Sequence, residues 1–369
     1  MKRLDKLIIS ELVGPWLFGV GIFTVLVMAG TYLFKLTDYV VQGVQPATLV
    51  ELTFLLLPGI MSKTFAMAML LAALLSFGRL SSDSEIVALR AAGASIFRIM
   101  IPVAMFSAAV SALCFVFNET VVPSASLRAT IIQGEIAKKI DIKSTQPILY
   151  PQYEKGKLVA IISASDFNYR AQILRGVNVV TYDEHGNQSY VMLAKELEFH
   201  GPKDWRVRGG GTVLSATGLY VSQLNGDAWP SDVPVPDMTP KGLVAKSLND
   251  LDSLSLRDMR QQIEAARLNP AFGKAQIANL EFGYFNKIAL PLAAFVYGLL
   301  GAPLGIRNHR TGAAAGFWIA VIIIFSYLML ANLMAVYAQG GVVPSFVASF
   351  LPIAIGLSIA SVLIWKRNG

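Results

Sequence analysis

Six long apolar runs, three on either side of a water-compatible stretch, constrain this chain more than any other feature. The runs are Leu12–Phe34, Leu52–Leu75, Ile99–Val121, Ile288–Ile306, Thr311–Ala338 and Val342–Trp365. Each reaches the roughly 20 residues that a helix needs to cross a bilayer. Composition agrees: of 369 residues 54% are hydrophobic and 15% charged, against about 25% charged in ordinary soluble domains. The expected fold class is an α-helical polytopic membrane protein. Six transmembrane helices in a 3+3 arrangement (residues 1–121 and 286–369) flank an inserted extracytoplasmic all-β domain, residues 122–285. Lys2, Arg3 and Lys6 precede the first run, but the run is too long for a cleavable leader and no small-residue cleavage site ends it. It is expected to stay in the chain.

Lysine and arginine set the expected orientation. Lys2, Arg3, Lys6, Arg79, Arg90, Arg98, Arg307, Arg310, Lys366 and Arg367 all fall in one set of short segments. The opposite connections hold almost none, Lys35 being the borderline case. Both termini and the two inner loops are therefore expected in the cytoplasm, with the insert outside; in a bacterium this means an inner-membrane protein with a periplasmic domain. The net charge of +7 is no nucleic-acid signature. Residues 122–285 carry 18 Lys/Arg against 17 Asp/Glu and the rest of the chain 13 against 7, so the excess belongs to the membrane-flanking part. Cys114, the only cysteine, lies in the third run, so the insert must hold together without disulfides.

Within the insert, residues 124–140 continue the third run as a helix. Lys157–Ser163, Ile173–Tyr182, Ser189–Ala194, Glu196–His200, Trp205–Gly209 and Thr212–Ser215 then have the β-branched and aromatic character of strands. Turn signals separate them at Glu154-Lys-Gly, Asp183-Glu-His-Gly-Asn, Gly201-Pro-Lys-Asp and Gly209–Gly211. That spacing suits a sandwich, jelly roll or barrel. Trp229–Lys241 is a proline-rich strap. A helix is expected from Ser255, where Ser-Leu-Arg-Asp forms a capping box, and Gln276–Lys287 leads back to the fourth run.

No GxxxxGK[ST] phosphate loop is present, so ATP hydrolysis is not expected of this chain. Three scattered histidines, with no HExxH or CxxC, give no catalytic or metal site and no cofactor. Span interiors lack Asp and Glu, with Glu51 and Glu119 at span ends, which disfavours an ion-coupled carrier. Lys63 lies well inside the second run after Pro58-Gly59, a pair expected to kink or unwind the helix. A charge at that depth costs roughly 2.5–3.5 kcal/mol, so Lys63 is expected to face a cavity or partner. Gly298, Gly301, Gly305, Gly312 and Gly316 offer close-packing faces.

Between the second and third runs the chain has Gly78-Arg-Leu-Ser-Ser-Asp-Ser-Glu-Ile-Val-Ala-Leu-Arg-Ala-Ala-Gly. Ser82 can N-cap a helix with Glu85 at the third position and Gly93 closing it, a short surface helix over 82–93. Ile86, Leu89 and Arg90 share one face by spacing. Such a helix can enter a groove on a cytoplasmic motor or simply lie on lipid headgroups; geometry leaves both open.

Glu85-Ile-Val-Ala-Leu-Arg-Ala-Ala-Gly resembles the E-[IL]-x-x-[LM]-x-[AS]-x-G segment of the lipopolysaccharide-export permeases, LptF and LptG, and the resemblance extends over the whole layout. It implies a coupling helix docked on a cytoplasmic ABC ATPase dimer, with Glu85, Ile86, Leu89, Arg90 and Gly93 in that segment. It also implies a homologous or identical permease partner, a periplasmic lipid-accepting β-jellyroll protein, and a β-jellyroll fold for the insert. Lys35 matches a lysine that faces the lipid cavity in LptG-type members, where its ammonium would pair with lipopolysaccharide phosphates; a snorkelling lysine is the alternative. Apart from the resemblance, Lys63 and Arg128 are further headgroup candidates by position, with an ordinary surface charge the preferred reading of Arg128. In the family the first and fifth spans line a lateral gate, which would place Leu33, Phe34, Tyr327 and Asn332 near it if helix rotation allows. The expected function is the permease subunit of an ABC-type lipid exporter. A non-transporting scaffold joining a periplasmic and a cytoplasmic partner stays open as the alternative.

Overall fold

The computed structural model describes residues 3–140, 148–154, 157–168, 171, 173–183, 186–201, 204–215, 221–224, 229–231, 233–236, 254–268, 273–306 and 313–368. Among the described residues, six helices are long and apolar enough to cross a membrane. They are α1 (Arg3–Val41), α2 (Pro46–Ser82), α4 (Ile96–Ile140), α6 (Lys274–Gly305), α7 (Ala313–Gln339) and α8 (Ser345–Asn368). The short α3 (Glu85–Ala91) joins α2 to α4, and α5 (Leu256–Leu268) follows the strands. Arg307, Arg310 and Gly312 lie outside the described residues, as do the surroundings of Gly316. Two compact units emerge: Met1–Lys35 with Leu57–Val122 and Lys274–Gly369, and Leu36–Leu56 with Pro123–Gly273.

The first unit packs around α2. Leu70, Leu71, Leu74 and Phe77 of α2 are buried in one cluster with Ile8 and Leu12 of α1, Ile99 and Val103 of α4, and Ala294 and Tyr297 of α6. Glycines let α6 come close, as expected. A Cβ added at Gly301 would lie 2.7 Å from the Ala73 Cβ and 3.0 Å from the Leu70 carbonyl oxygen, and one at Gly305 would lie 2.8 Å from the Phe77 Cβ. Against expectation, α2 runs as unbroken helix through Pro58-Gly59. Proline removes one backbone donor, but packing on neighbouring helices tolerates that loss inside a membrane span.

The second unit is built on a seven-stranded antiparallel sheet in the order β1-β2-β4-β5-β6-β7, with β3 beside β4. The strands are β1 (Ile148–Glu154), β2 (Lys157–Ala164), β3 (Asp166–Asn168), β4 (Ile173–Tyr182), β5 (Gln188–Gly201), β6 (Asp204–Ser215) and β7 (Val221–Leu224). Ile162, Val179, Met192 and Val213 stack across four strands into its apolar core. Three expected turns fall between strands. At the second, the Gly186 N–H donates to the Asp183 carbonyl and Gly186 takes φ +84°.

The fourth expected turn, Gly209–Gly211, is instead inside β6. The β5–β6 register steps from Ala194↔Gly211 to Glu196↔Arg208, so Gly209 and Gly210 stand opposite Lys195. Their φ values of +76° and +83° make this a bulge, which a glycine pair accommodates without side-chain strain. The two pairs of short strands expected there are therefore two long bulged strands. Strands β1, β3 and β7 carry too weak an apolar alternation to be seen in the sequence.

The helical expectations hold at several points. Residues 124–140 do extend α4, and α5 opens on the expected box: Ser255 Oγ accepts from the Asp258 N–H at 3.2 Å and donates to Asp258 Oδ2 at 2.8 Å. The described part of the strap lies over the sheet core, where Trp229 Nε1 donates to the Val233 carbonyl at 2.7 Å and Gln152 Nε2 to the Val235 carbonyl at 3.3 Å. Residues 237–241 of the strap lie outside the described residues.

Candidate coupling segment and lipid-facing residues

The α3 segment is shorter than its sequence suggests. Ser82 does not cap it; Ser82 ends α2 and its hydroxyl donates to the Arg79 carbonyl at 2.8 Å. The N-cap is Ser84, in the left-handed region at φ +63°, with no side-chain cap bond, so Glu85 is the first helical residue rather than the third. The tight reversal Ser81–Ser84 leaves no room for the longer helix: the Asp83 and Ser84 N–H groups still donate back to Arg79 and Ser81. The C-terminus behaves as expected. Gly93 at φ +86° closes a Schellman motif, with the Gly93 N–H on the Arg90 carbonyl and the Ala94 N–H on the Leu89 carbonyl.

Burial divides α3 into two faces. Ile86 is 2% exposed and sits in the apolar core with Ile8, Leu12 and Ile99, while Leu89 and Ala94 pack against that core. Glu85 is half-buried, Arg90 is exposed, and Val87 is 57% exposed. The face available to a partner thus presents Val87, Ala88, Arg90 and Ala91. Ile86 and Leu89, grouped with Arg90 by helical spacing, are instead the anchors that hold α3 to its own protein. Val87 has no polar signal to set it apart in the sequence, where it stands between Ile86 and Leu89.

The headgroup candidates lie on separate elements. Lys35 and its neighbours Leu33 and Phe34 are exposed on α1. Lys63 is exposed on α2 between the buried Ser62 and Thr64, whose hydroxyls bond to helix carbonyls and, for Thr64, face the Thr24 hydroxyl at 3.2 Å. Arg128, in the other unit, places Nη2 2.7 Å from Glu51 Oε1, a pair both of whose members are well exposed. An exposed pair of this kind is worth at most about 1 kcal/mol, so it identifies a partner for Arg128 without fixing its role.

Helix α7 separates the two gate candidates it carries. Trp318, Ile322, Phe325, Met329 and Val336 form an exposed stripe at i, i+4, i+7 spacing, and Asn332 lies on it. Tyr327 turns inward, its ring 5.2 Å from that of the buried Tyr297 at 73°. Further charged pairs escaped the sequence reading because their members are far apart in the chain: Asp5–Arg98, Glu11–Arg79 and Glu119–Lys287. Among the described residues no group of three or more His, Cys, Asp or Glu side chains is placed to hold a metal ion.

The model of a family described as lipopolysaccharide export system permease LptF/LptG matches residues 6–366. No curated protein matches the chain.

Proposed function

The chain belongs to the lipopolysaccharide export system permease LptF/LptG family, a transport component rather than an enzyme, and from this we propose a specific division of labour. The chain acts as the membrane subunit of an ABC-type exporter. It pairs with a homologous or identical subunit over two copies of a separate cytoplasmic ATPase, with both termini in the cytoplasm and the sheet domain in the periplasm. Lipopolysaccharide or a related glycolipid enters sideways from the outer leaflet of the inner membrane and is pushed toward the sheet domain. That domain, with the jellyroll form of the family, hands it to a periplasmic acceptor.

The observation that carries this reading is α3. It is a capped two-turn helix between two spans, anchored from beneath by Ile86 and offering Val87, Arg90 and Ala91 outward. Glu85 heads it, where a partner's basic side chain can reach its carboxylate. Lys35 and Lys63 are exposed lysines on two spans, each able to meet a phosphorylated headgroup; Arg128, in the other unit, is a separate candidate that would exchange its Glu51 partner for a phosphate. Leu33, Phe34 and Asn332 lie on exposed faces suited to a lateral opening, with Tyr327 holding α7 against Tyr297. The need for an external motor follows from the substrate, since moving acyl chains out of a bilayer costs about 0.8 kcal/mol per methylene.

Affinity purification of the chain from its native membrane tests the reading. A P-loop ATPase should accompany the wild-type protein and be lost with Glu85→Lys or Val87→Asp. Purification of both variants with the ATPase still bound would remove α3 from the interface. A photo-crosslinker at position 35 should capture glycolipid; capture of protein alone would return Lys35 to the role of a helix anchor.

A further inference from the structure

Sequence position assigns Arg79 and Arg98 to the set of basic residues that orient a membrane protein, and nothing more. The structure gives each a carboxylate on α1. Arg79, near the end of α2, pairs with Glu11. Arg98, in the first turn of α4, places Nη2 2.6 Å from Asp5 Oδ1, with both side chains largely buried. Arg79 and Arg98 flank α3 on either side, so the beginning of α1 is fastened to both roots of the α3 segment.

A third bond strengthens the attachment at Glu11. Pro15 lacks the N–H that would donate to the Glu11 carbonyl within α1. Ser76 Oγ of α2 donates to that carbonyl instead, at 2.7 Å. Glu11 is thus held to α2 by its carboxylate and by its carbonyl, through residues one turn apart. Apolar packing completes the contact: Ile8 and Leu12 of α1 share a buried cluster with Ile86 of α3 and with Ile96 and Ile99 of α4. The root of α4 is itself capped, the Arg98 N–H donating to Ser95 Oγ at 3.2 Å. Beyond Pro15, α1 continues to Lys35 at the end of its apolar course, about 36 Å from Glu11 at 1.5 Å per residue.

We infer that Asp5 and Glu11 are positioning residues that lock the start of α1 to both roots of α3, so that displacement of α3 is carried into the first span. The inference rests on the reading of α3 as the ATPase-docking helix. It adds a transmission path in which the two carboxylates act through Arg98 and Arg79. An ion pair that merely orients or braces the chain would affect folding or insertion. A transmission pair also sets how much lipid moves per ATP.

The test uses the full complex, reconstituted with its co-purifying ATPase in proteoliposomes containing lipopolysaccharide. Lipid release and ATP hydrolysis are measured together. The double variant Asp5→Asn/Glu11→Gln should keep ATPase binding and hydrolysis while release per ATP falls about five-fold or more, the lower range of measured coupling effects. The reversed pairs Glu11→Arg/Arg79→Glu and Asp5→Arg/Arg98→Asp should restore it. Unchanged release per ATP in the neutralised variant overturns the inference and leaves the docking role of α3 standing. Should neutralisation reduce expression, the reversed pairs decide: bound ATPase with release still uncoupled overturns the inference, and recovered coupling supports it. Failure of the wild-type chain to bind any ATPase overturns both this inference and the reading beneath it.

Discussion

The Lys287 ammonium lies 3.9 Å from the Glu119 carboxylate, joining the start of the apolar part of α6 to the end of that of α4. Lys287 is 7% exposed at its side chain, so its charge relies on that neighbour more than on water. Glu119→Gln is therefore expected to lower stability on the order of 2 kcal/mol. That is less than for a fully enclosed pair, because 29% of the Glu119 side chain stays exposed. Lys287→Met combined with Glu119→Gln should recover much of the loss. Thermal unfolding in detergent, compared across single and double variants, measures it.

The glycine face of α6 makes a second prediction. Gly301→Val would drive a side chain into Ala73 and the Leu70 carbonyl, backbone included, and should destabilise by about 1–3 kcal/mol. Gly21→Ala on α1, with nothing within 4 Å of the added Cβ, should leave the melting temperature unchanged or slightly higher. Equal effects of the two would contradict the close approach of α6 to α2.

The two faces of α3 should separate folding from docking. Ile86→Ala removes a fully buried side chain and is expected to destabilise by about 2–5 kcal/mol. Val87→Asp alters an exposed position and should change stability by no more than about 0.5 kcal/mol while weakening ATPase association. Gly93→Ala forces a side chain into the left-handed region and should cost roughly 1–2 kcal/mol. Unfolding midpoints read beside ATPase retention distinguish these outcomes.

The sheet unit should lose stability in alkali. Burial, then the charge of Glu264, raises the Tyr153 phenol above its ordinary value of 10.0. Burial also raises Tyr182. Because the folded values lie above the unfolded one, both phenols contribute their full stability below pH 10.0. The contribution is lost as pH rises from there through the higher folded values, since the unfolded chain releases its protons first. Tyr153→Phe should flatten that decline. Tyrosinate absorbance followed with circular dichroism across the alkaline range checks it.

Much of this was legible in the sequence, and the exceptions share a physical cause. Apolar run length exposed all six long helices, and local chemistry exposed the Gly93 stop and the Ser255 box, because caps and runs are settled within a few residues. Gly209–Gly211 misled because a glycine run serves a bulge as well as a turn, and only the register against Lys195 distinguishes them. The burial of Ile86 depends on where α1 lies, which spacing along α3 does not encode. The partners of Arg79, Arg98 and Lys287 are distant in the chain, so these residues show in sequence as charges and only in the fold as pairs.

The most direct test of the central claim is ATP-driven release of lipopolysaccharide from proteoliposomes holding this chain, its permease partner and the co-purifying ATPase, with a soluble periplasmic acceptor outside. Release should require ATP and be abolished by Glu85→Lys. Release that continues without ATP, or that survives the charge reversal undiminished, would contradict it.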